Sequence, residues 1–356
     1  MKKTLLVLLG ALVVLTLAAL PLGAGWLGEA LRTPLPLAEQ RPLEVPRGSH
    51  LSAVVNRLAA DGLLGDGLHQ RRVRWALRLY LKQQPDAARI HAGEYRLTPG
   101  MSLQQLIAAL NRGDVVQRAL TFVEGSTFRD WRRQLASADG LRQDSAALSD
   151  AELMAALERP GQHPEGWFAP DTYFYTRGDS DLALLRRALA RQQQLLDNAW
   201  ASRAEGLPYA SPYEALIMAS IVERETGVPS ERADIAAVFV RRLQRGMRLQ
   251  TDPTVIYGMG ERYDGRIRRA DLREFTPYNT YQIAGLPPTP IAMPGAAAIV
   301  ATLNPSDRKA LYFVARGDGS HEFTNSLRDH EQAVRRFQLN RRDDYRSSPA
   351  PAEVSP

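Results

Sequence analysis

Cysteine is absent from this chain of 356 residues. Its absence excludes disulfide frameworks, thiolate nucleophiles and cysteine-based zinc sites, and it suits an oxidising compartment. The 6 histidines are scattered without an H-E-x-x-H motif, and no phosphate-binding loop or G-x-S-x-G turn occurs. The recognisable motifs of zinc proteases, nucleotide hydrolases and α/β-hydrolases are therefore missing. We expect neither a metal nor a cofactor.

Lysine is scarce, and the basic residues that give the net charge of +6 are nearly all arginine. We identify no basic stripe interleaved with aromatic residues, so nucleic acid is not an expected partner. A mildly basic protein suits an anionic membrane or an acidic polymer instead. The length allows two or three domains, and the apolar and charged fractions are ordinary for a globular protein.

Charge is also absent between residues 4 and 28, directly after Met1-Lys2-Lys3. About 20 apolar residues span a bilayer, and this run exceeds the roughly 7–15 residues of a signal peptide's apolar region. We therefore expect an uncleaved, single-pass anchor. The positive-inside rule keeps the lysines in the cytoplasm and the rest of the chain outside it. A cleaved signal peptide, cut near Leu22-Gly23-Ala24, is the alternative.

The composition along the chain predicts its division into segments. The predicted segments are a cytoplasmic tail (1–3), a transmembrane anchor (4–27), a stalk (28–44), a small α+β module (45–115), a connecting region (116–175), a larger α+β domain (176–340) and a disordered tail (341–356). Aromatic residues cluster at 164–175, where they suit either a sugar-stacking surface or a domain interface. A long amphipathic helix is predicted at 181–204.

A pattern of strand, turn glycine and amphipathic helix recurs around Gly48, Gly100 and Gly125. Apolar residues follow each glycine at the same offsets, which places them on one helical face. Gly93–Leu97 is the predicted strand of the second copy, and Ser102 and Ser126 are predicted N-caps. The first two copies bracket the small module.

Two carboxylates interrupt an otherwise apolar helix. Ser211 and Glu214 predict its start with a capping box, and Gly227 predicts its end. Successive residues of an α-helix turn by about 100°. Glu223 and Glu225 therefore lie on nearly opposite sides, and they are not expected to act together on one bond.

Glu223 is the stronger candidate for chemistry. The small side chains of Ala219 and Ser220 lie on the same stripe and leave room for a sugar ring. Burial beside apolar groups raises the pKa of a carboxyl group, which is how a general acid is made.

The following helix, predicted between Ser230 and Gly246, offers Arg241 or Arg242 as a partner for Glu225. In the alternative interpretation, both glutamates of the preceding helix only form salt bridges.

Polar and aromatic groups after these helices indicate a groove. Residues 250–254 combine amide, hydroxyl and carboxylate groups that suit sugar hydroxyls, or they form an Asx-type turn. Residues 278–281 precede a proline-rich loop and are typical of a groove wall. A hairpin is predicted around Gly317-Asp318-Gly319. It places His321 and Asn325 towards either the groove or solvent.

Several motifs together are more specific than these patterns. SIVERETG, RLQRGMRLQTDPTVIYG, YNTY, GLPPTPI and HEFTNS follow one another after the apolar N-terminal run. They resemble the endolytic murein transglycosylases of the MltG (YceG-like) family over roughly residues 45–340. The resemblance implies an α+β fold with an N-terminal transmembrane helix, a small LysM-like α+β module and a larger α+β catalytic domain. Met293 departs from the polar residue expected at that position.

The resemblance also implies a chemistry. The family's catalytic glutamate falls on Glu223, which leaves Glu225 as a secondary, structural acid. The implied reaction is non-hydrolytic cleavage of the MurNAc–GlcNAc β-1,4 bond of peptidoglycan, which leaves 1,6-anhydro-MurNAc ends. The candidate substrate-binding residues are Gln250, Thr251, Asp252, Tyr257, Tyr278, Asn279, Tyr281 and Asn325.

The implied partners are peptidoglycan glycan strands, the cell inner membrane and cell-wall synthesis proteins, without nucleic acid. The expected location is the inner membrane, with the catalytic domain in the periplasm. Two other functions stay open: an inverting glycosidase that uses Glu223 with Asp252 as base, and a non-enzymatic peptidoglycan-binding scaffold. Anhydro product ends identify the transglycosylase, and reducing ends identify the hydrolase.

Overall fold

The structure, a computed structural model, describes Trp26 and residues 28–340. The chain divides into two compact units. The first contains the chain up to Arg118 together with Phe174–Gly178, and the second contains Ala119–Tyr173 and the chain from Asp179 onward. Each unit combines helices with an antiparallel strand pair, so the α+β class is confirmed.

In the first unit, two strands enclose a pair of helices along the chain. The elements are β1 (Arg41–Val45), α1 (Leu51–Ala60), α2 (Gly67–Gln83), β2 (Gly93–Leu97) and α3 (Leu103–Arg112). β1 and β2 pair antiparallel, with Leu43 opposite Tyr95. Alternate strand residues face one side of a sheet, and Leu43, Val45, Tyr95 and Leu97 accordingly lie in the unit's apolar core.

The glycine repeat is confirmed in all three copies. Gly48, Gly100 and Gly125 have φ angles of 80°, 84° and 74°, a region that favours glycine because it has no Cβ. Each glycine stands between a strand and a helix. The apolar residues at the shared offsets are all buried, namely Leu51, Val54, Leu58, Leu103, Leu106, Leu110, Phe128, Trp131 and Leu135.

One of the two predicted caps of these repeats is wrong by one residue. Ser102 caps α3 as expected, in a capping box with Gln105. In the third copy the cap is Thr127, which forms a capping box with Asp130. The hydroxyl of Ser126 instead donates to the carbonyl of Val123 at 2.6 Å.

The segment predicted as a stalk, 28–44, is part of the first unit's fold. Residues 28–32 are helical, and the segment's last residues belong to β1. Ala30, Leu31 and Leu35 are buried in the apolar core. The segment therefore differs from an extended stalk, because the leucines between its prolines pack against the helices.

The second unit is built mainly from helices, and the division between the units crosses β3 and β4. The elements from this point of the chain are β3 (Gln117–Thr121), α4 (Phe128–Ser137), α5 (Asp150–Ala156), β4 (Thr172–Thr176), α6 (Asp181–Ala201), α7 (Pro212–Glu225), α8 (Arg232–Gln244), α9 (Asp252–Met259), α10 (Ala296–Leu303), β5 (Tyr312–Ala315), β6 (His321–Thr324) and α11 (Leu327–Val334). The predicted hairpin is confirmed as β5 and β6, with Phe313 opposite Phe323.

Helix α7 lies at the centre of the second unit. Residues 215–222 are all buried, and the helix packs against α6, α8, α9 and α10. A helix that is apolar all round is a buried helix. Ser220 is satisfied inside this core, because its hydroxyl donates to Ile217 and accepts from the amide of Ile291. The last turn, with its two glutamates, leaves the core.

Two predicted helix starts change. Ser211 caps α7 as expected, but Glu214 does not complete a capping box, since its carboxylate accepts from the amide of Ala210 at 2.7 Å. Ser230 lies inside a short 3-10 turn, and α8 begins only at Arg232.

The aromatic segment 164–175 supplies core side chains to the second unit. Trp167, Phe168 and Tyr173 are buried, and the ring of Phe168 stacks on Phe128 with centroids 5.2 Å apart. Phe168 and Tyr173 are therefore unavailable as a sugar-stacking surface.

Within the described part of the chain, no helix has the length and apolar character needed to cross a membrane. The predicted anchor at 4–27 lies outside that part except for Trp26, as do the tails at 1–3 and 341–356. The anchor therefore stays a prediction.

Candidate active site

The last turn of α7 carries both glutamates into one groove. The groove has a volume of about 1030 Å³, and Glu223 and Glu225 both line it. Because the groove lies at the end of the helix, residues from opposite faces reach it. The unpaired carbonyls of a helix C-terminus disfavour a nearby negative charge. Both carboxyl groups therefore sit where the protonated form is favoured.

Glu223 is held by a backbone amide. Its side chain is 6% exposed, and its Oε2 accepts a hydrogen bond from the amide of Gly295 at 3.0 Å. Gly295 is the N-cap residue of α10. The amide that orients Glu223 thus comes from a helix start that packs against α7.

A second carboxylate and an arginine complete this side of the groove. The guanidinium of Arg232 lies 3.7 Å from Oε1 of Glu223 and 3.9 Å from Oε2 of Glu124. The Arg232 side chain is 14% exposed, whereas that of Glu124 is 47% exposed. One largely buried cation is therefore shared between two carboxyl groups.

The pKa of Glu223 is raised above its usual value, and burial is the main cause. The nearby Glu124 carboxylate raises this pKa further, while the Gly295 amide, Arg232 and Arg224 lower it. Burial penalises the charged form more than these partners repay. Glu223 is thus suited to hold a proton at higher pH than an exposed glutamate.

Two loops clamp the end of α7. The amide of Gly125 donates to the carbonyl of Met293 at 2.9 Å, and the amide of Met293 donates to Ser126 at 2.8 Å. Arg224 donates to the carbonyl of Gly125 at 3.1 Å. Met293 is fully buried, so an apolar side chain fits where a polar one was expected.

A side chain at Gly295 would displace the carboxylate of Glu124. A Cβ at this position would lie 1.9 Å from Oε1 of Glu124, well inside contact distance. The absence of that Cβ lets Glu124 pack against the same backbone that holds Glu223.

Glu225 has a different environment from the one predicted. Its Oε1 accepts a hydrogen bond from the hydroxyl of Thr251, and burial raises its pKa to about 7, with Asp252 adding to the shift. The expected pairing with an arginine is wrong. The guanidinium of Arg242 donates to the carbonyls of Leu311 and Leu249, each at 2.8 Å, and Arg241 donates to that of Asp307 at 3.2 Å.

Four of the predicted binding residues line the groove with the two glutamates: Gln250, Thr251, Asp252 and Tyr281. They do not form an isolated turn, since Asp252 begins α9. The hydroxyl of Tyr281 donates to Oδ1 of Asp252 at 2.7 Å. Gln250 has a φ of 54°, an uncommon conformation for a residue other than glycine, and it turns the chain into the groove wall.

The other four predicted binding residues lie outside the groove lining. The side-chain amide of Asn279 is buried and donates to the backbone carbonyls of Asp271 and Glu274, so it holds a loop together. The hydroxyl of Tyr278 bonds that of Thr289 at 2.9 Å. Asn325 is exposed.

Tyr257 lies beside a smaller cavity of about 340 Å³. Its hydroxyl donates to the buried carboxyl group of Glu165 at 3.0 Å. Glu124, Gly125 and Arg224 line both this cavity and the large groove.

His321 lines the groove, as one of its two predicted orientations required. Its Nδ1 lies 2.7 Å from Oε2 of Glu231, whose other oxygen accepts from the His321 amide at 2.9 Å. Glu231 precedes Arg232, so adjacent residues contact His321 and Glu223.

Sequence reasoning missed Glu124 and Arg232. Both are charged residues on loops or helix starts, where solvated side chains are the usual expectation. The available signal was the position of Glu124 directly before the third repeat glycine, Gly125, where a tight turn was already predicted.

Comparison with known proteins gives consistent matches. The sequence model of the YceG-like family matches residues 43–336. The endolytic murein transglycosylase of Bacillus subtilis is 30% identical over 312 residues, covering 83% of this chain and 84% of that protein. The endolytic murein transglycosylase of Streptococcus pneumoniae is 27% identical over 324 residues. That match covers 82% of this chain and 57% of the relative, so the chain spans little more than half of the pneumococcal protein.

A crystal structure of a YceG-like protein from Listeria monocytogenes is also similar. It has a TM-score of 0.53 and 28% sequence identity, and it covers 83% of this chain and 99% of that one. The resemblance inferred from the motifs is confirmed by the family match, which spans most of the chain. The chain belongs to the YceG-like family.

Proposed function

We propose that this chain is an endolytic peptidoglycan lytic transglycosylase in which Glu223 serves as both acid and base. The observation that carries the proposal is a buried carboxyl group with a raised pKa, oriented by a backbone amide in a large groove. Relatives named endolytic murein transglycosylases support the substrate and the type of reaction.

In the first step, Glu223 protonates the bridging oxygen of the MurNAc–GlcNAc β-1,4 bond. The Oε2 atom already accepts from Gly295, so the transferable proton is assigned to Oε1. The bond to the MurNAc C1 breaks, and positive charge develops on the sugar ring. Arg232, 3.7 Å from Oε1, stabilises the carboxylate that remains.

In the second step, the Glu223 carboxylate removes the proton from the 6-hydroxyl of the same MurNAc. Its O6 then bonds to C1 and closes the 1,6-anhydro ring. Glu223 regains its proton, so the cycle closes without water and without a second acid. Proton transfer by a positioned side chain contributes about 10²–10⁴-fold to a rate.

The inverting glycosidase is the alternative with Asp252 as base. Asp252 lines the groove and accepts from Tyr281, so a carboxylate is present for that role. An inverting hydrolase needs its two carboxyl groups roughly 6.5–9.5 Å apart with a water between them. Product analysis separates the two reactions. The scaffold alternative requires binding without turnover.

Endolytic cleavage needs glycan on both sides of the broken bond. The large groove and the smaller cavity share Glu124, Gly125 and Arg224, beside Glu223. This continuity supports a strand that passes across the catalytic carboxyl group rather than one that ends there.

The location is part of the same proposal. The apolar run at 4–27 serves as a single-pass anchor in the inner membrane, with the catalytic unit in the periplasm. The arrangement of β1, α1, α2 and β2 supports a LysM-like module. An anchored enzyme beside growing strands suits a role in terminating or trimming them, next to cell-wall synthesis proteins.

The decisive test is Glu223→Gln. The change preserves the shape and removes the transferable proton, so we expect cleavage of purified peptidoglycan to fall at least about 10³-fold. Mass spectrometry of the released muropeptides measures both the rate and the product ends.

Glu205→Gln, the same chemical change at an exposed position of the second unit, is the matched control. Wild-type turnover by the Glu223 variant contradicts the assignment. Binding without any turnover by the wild type establishes the scaffold instead. Reducing ends that carry ¹⁸O from solvent establish the hydrolase.

A further inference from the structure

Helix α2 of the first unit exposes a face that is both basic and apolar. Leu68 is 77% exposed and Trp75 is 63% exposed. Residues three and four positions apart share a helical face, and the exposed side chains of α2 follow that spacing. Together they form the α2 face, which consists of Leu68, Arg71, Arg74, Trp75, Arg78 and Lys82. The opposite side packs inward through Val73, Ala76 and Leu77.

The charge of the α2 face has one sign. No acidic residue occurs between Gly67 and Gln83. The guanidinium of Arg78 lies 5.3 Å from the ring centroid of Trp75, which keeps cation and ring together at the surface. In the linear sequence this basic stripe with its aromatic residue is hidden, because buried residues stand between its members.

The α2 face lies next to the end of the apolar N-terminal run. Nε of Arg72 donates to the carbonyl of Trp26 at 2.9 Å, and its guanidinium lies 4.1 Å from the Trp26 ring centroid. Trp26 belongs to the uncharged run at 4–28 and is itself 57% exposed. The chain that leaves that run therefore touches α2 directly.

We propose that the α2 face docks on the surface of an anionic bilayer, with its basic side chains on lipid phosphates and Trp75 and Leu68 in the interfacial layer. Tryptophan prefers the membrane interface, and helices with basic residues and exposed apolar side chains lie in it. Each basic residue near an anionic surface strengthens such binding. The contact with Trp26 places the same helix at the membrane if the proposed anchor is correct, but the chemistry of the face does not require the anchor.

A glycan strand fits this face less well. Sugar recognition uses hydroxyl-matched acceptors together with an aromatic ring, and the α2 face has cations without a carboxylate. A nucleic acid offers the same phosphate chemistry as a lipid headgroup, but it gives Leu68 no apolar partner.

A single label can test this docking, because the chain has no cysteine of its own. Leu68→Cys in the full chain carries an environment-sensitive fluorophore, and Asn56→Cys, at an exposed position of α1, is the matched control. Both are reconstituted with vesicles of phosphatidylglycerol and phosphatidylcholine, or of phosphatidylcholine alone. We expect the emission of the fluorophore to shift to the blue, and to be quenched by a lipid-borne quencher, at position 68 only. Both effects should require the anionic lipid.

Charge variants sharpen the result. Replacing Arg71, Arg74 and Arg78 together by glutamine is expected to weaken docking about 100-fold, and replacing them by lysine is expected to preserve it. Molar salt is expected to release the label from the surface. An unchanged thermal midpoint confirms that the variants fold.

Several outcomes overturn the proposal. They are equal signals at positions 68 and 56, no dependence on anionic lipid, or a response to purified peptidoglycan sacculi or to a DNA duplex as large as that to vesicles. The anchor is tested separately, because a protein with an inserted anchor still floats with the vesicles after carbonate extraction. Loss of the carbonate-resistant flotation refutes the anchor but not the docking. Flotation with anionic vesicles that high salt abolishes still identifies docking by the α2 face.

Discussion

The two sides of the end of α7 hold their carboxyl groups differently. Burial raises the pKa of Glu223 and of Glu225 alike. Glu223 meets a backbone amide and the guanidinium of Arg232. Glu225 accepts a hydrogen bond from the side-chain hydroxyl of Thr251, and the charges of Arg242 and Arg224 contribute less to its pKa than that bond does.

This difference distinguishes the proposed acid, Glu223, from the other buried carboxyl group. A general acid must become a stable carboxylate once the proton has left. Arg232 and the Gly295 amide favour that charged form, while burial and Glu124 favour the protonated form. The hydroxyl of Thr251 offers Glu225 weaker support, which suits a group that remains protonated.

After Glu223→Gln itself, the largest expected effect on the rate comes from disturbing the backbone that holds Glu223. In Gly295→Ala, the new Cβ would lie 1.9 Å from Oε1 of Glu124. Either the Gly295 amide or the Glu124 carboxylate must therefore move. We expect kcat/KM on peptidoglycan to fall about 100-fold, because small misplacements of a catalytic group are costly. Gly67→Ala, where a Cβ meets nothing within 4 Å, is the control. An unaffected rate in Gly295→Ala contradicts the role of the Gly295 amide in orienting Glu223.

Removing the cation should shift the pH profile as well as the rate. Arg232 lowers the pKa of Glu223, so Arg232→Gln raises that pKa further. In the proposed mechanism, activity requires protonated Glu223 and falls as pH rises through the pKa of that group. The alkaline limb of the kcat/KM profile should therefore move to higher pH while the maximal rate falls about 10-fold.

The control for that profile is Arg241→Gln, whose guanidinium contacts a backbone carbonyl of Asp307. A fall in rate without a shift of the limb contradicts the electrostatic role of Arg232.

A smaller effect is expected on the Glu225 side from Asp252→Asn. Asparagine keeps an acceptor for the hydroxyl of Tyr281, which donates to Asp252 at 2.7 Å. Activity should drop about 3-fold to 10-fold through weaker substrate positioning, and the products should keep their anhydro ends. Complete loss of chemistry, with reducing ends in the wild-type products, supports the hydrolase.

The smallest expected effect on rate is that of Glu225→Gln, within about 2-fold if this acid is structural. Its folded-state pKa of about 7 exceeds the usual 4.5, so the folded protein holds a proton that the unfolded chain releases between these values. Wild-type stability should therefore decline as pH rises from 4.5 to 7, by up to about 3 kcal/mol relative to the variant. Urea unfolding at pH 5 and pH 8 measures this. Equal loss of chemistry in a folded Glu225→Gln protein identifies Glu225 as the acid.

Local patterns could be predicted wherever neighbouring residues decide the structure. The turn glycines, the apolar faces behind them and the β5–β6 hairpin follow from spacings of a few residues. Errors arose where several short polar residues compete for one cap, as with Ser126 and Thr127. They also arose where a proline-rich segment, 28–44, packs by tertiary contact.

The partners of Glu225 show a further limit of sequence reasoning. A helical wheel gives the direction of a side chain but not what lies there. The arginines of α8 were near in sequence, but their guanidinium groups donate to backbone carbonyls, and Thr251 reaches Glu225 from the start of α9.

The sequence by itself determined that α7 is a buried helix ending in two carboxyl groups on opposite faces, because apolar content and the helical period are properties of adjacent residues. Only the tertiary structure decided how they differ. Glu124, Arg232 and Gly295 come from three separate segments, and they meet Glu223 because α8 and α10 pack against α7. A pKa depends on burial and on charges within a few ångströms, and those distances exist only once the chain is folded.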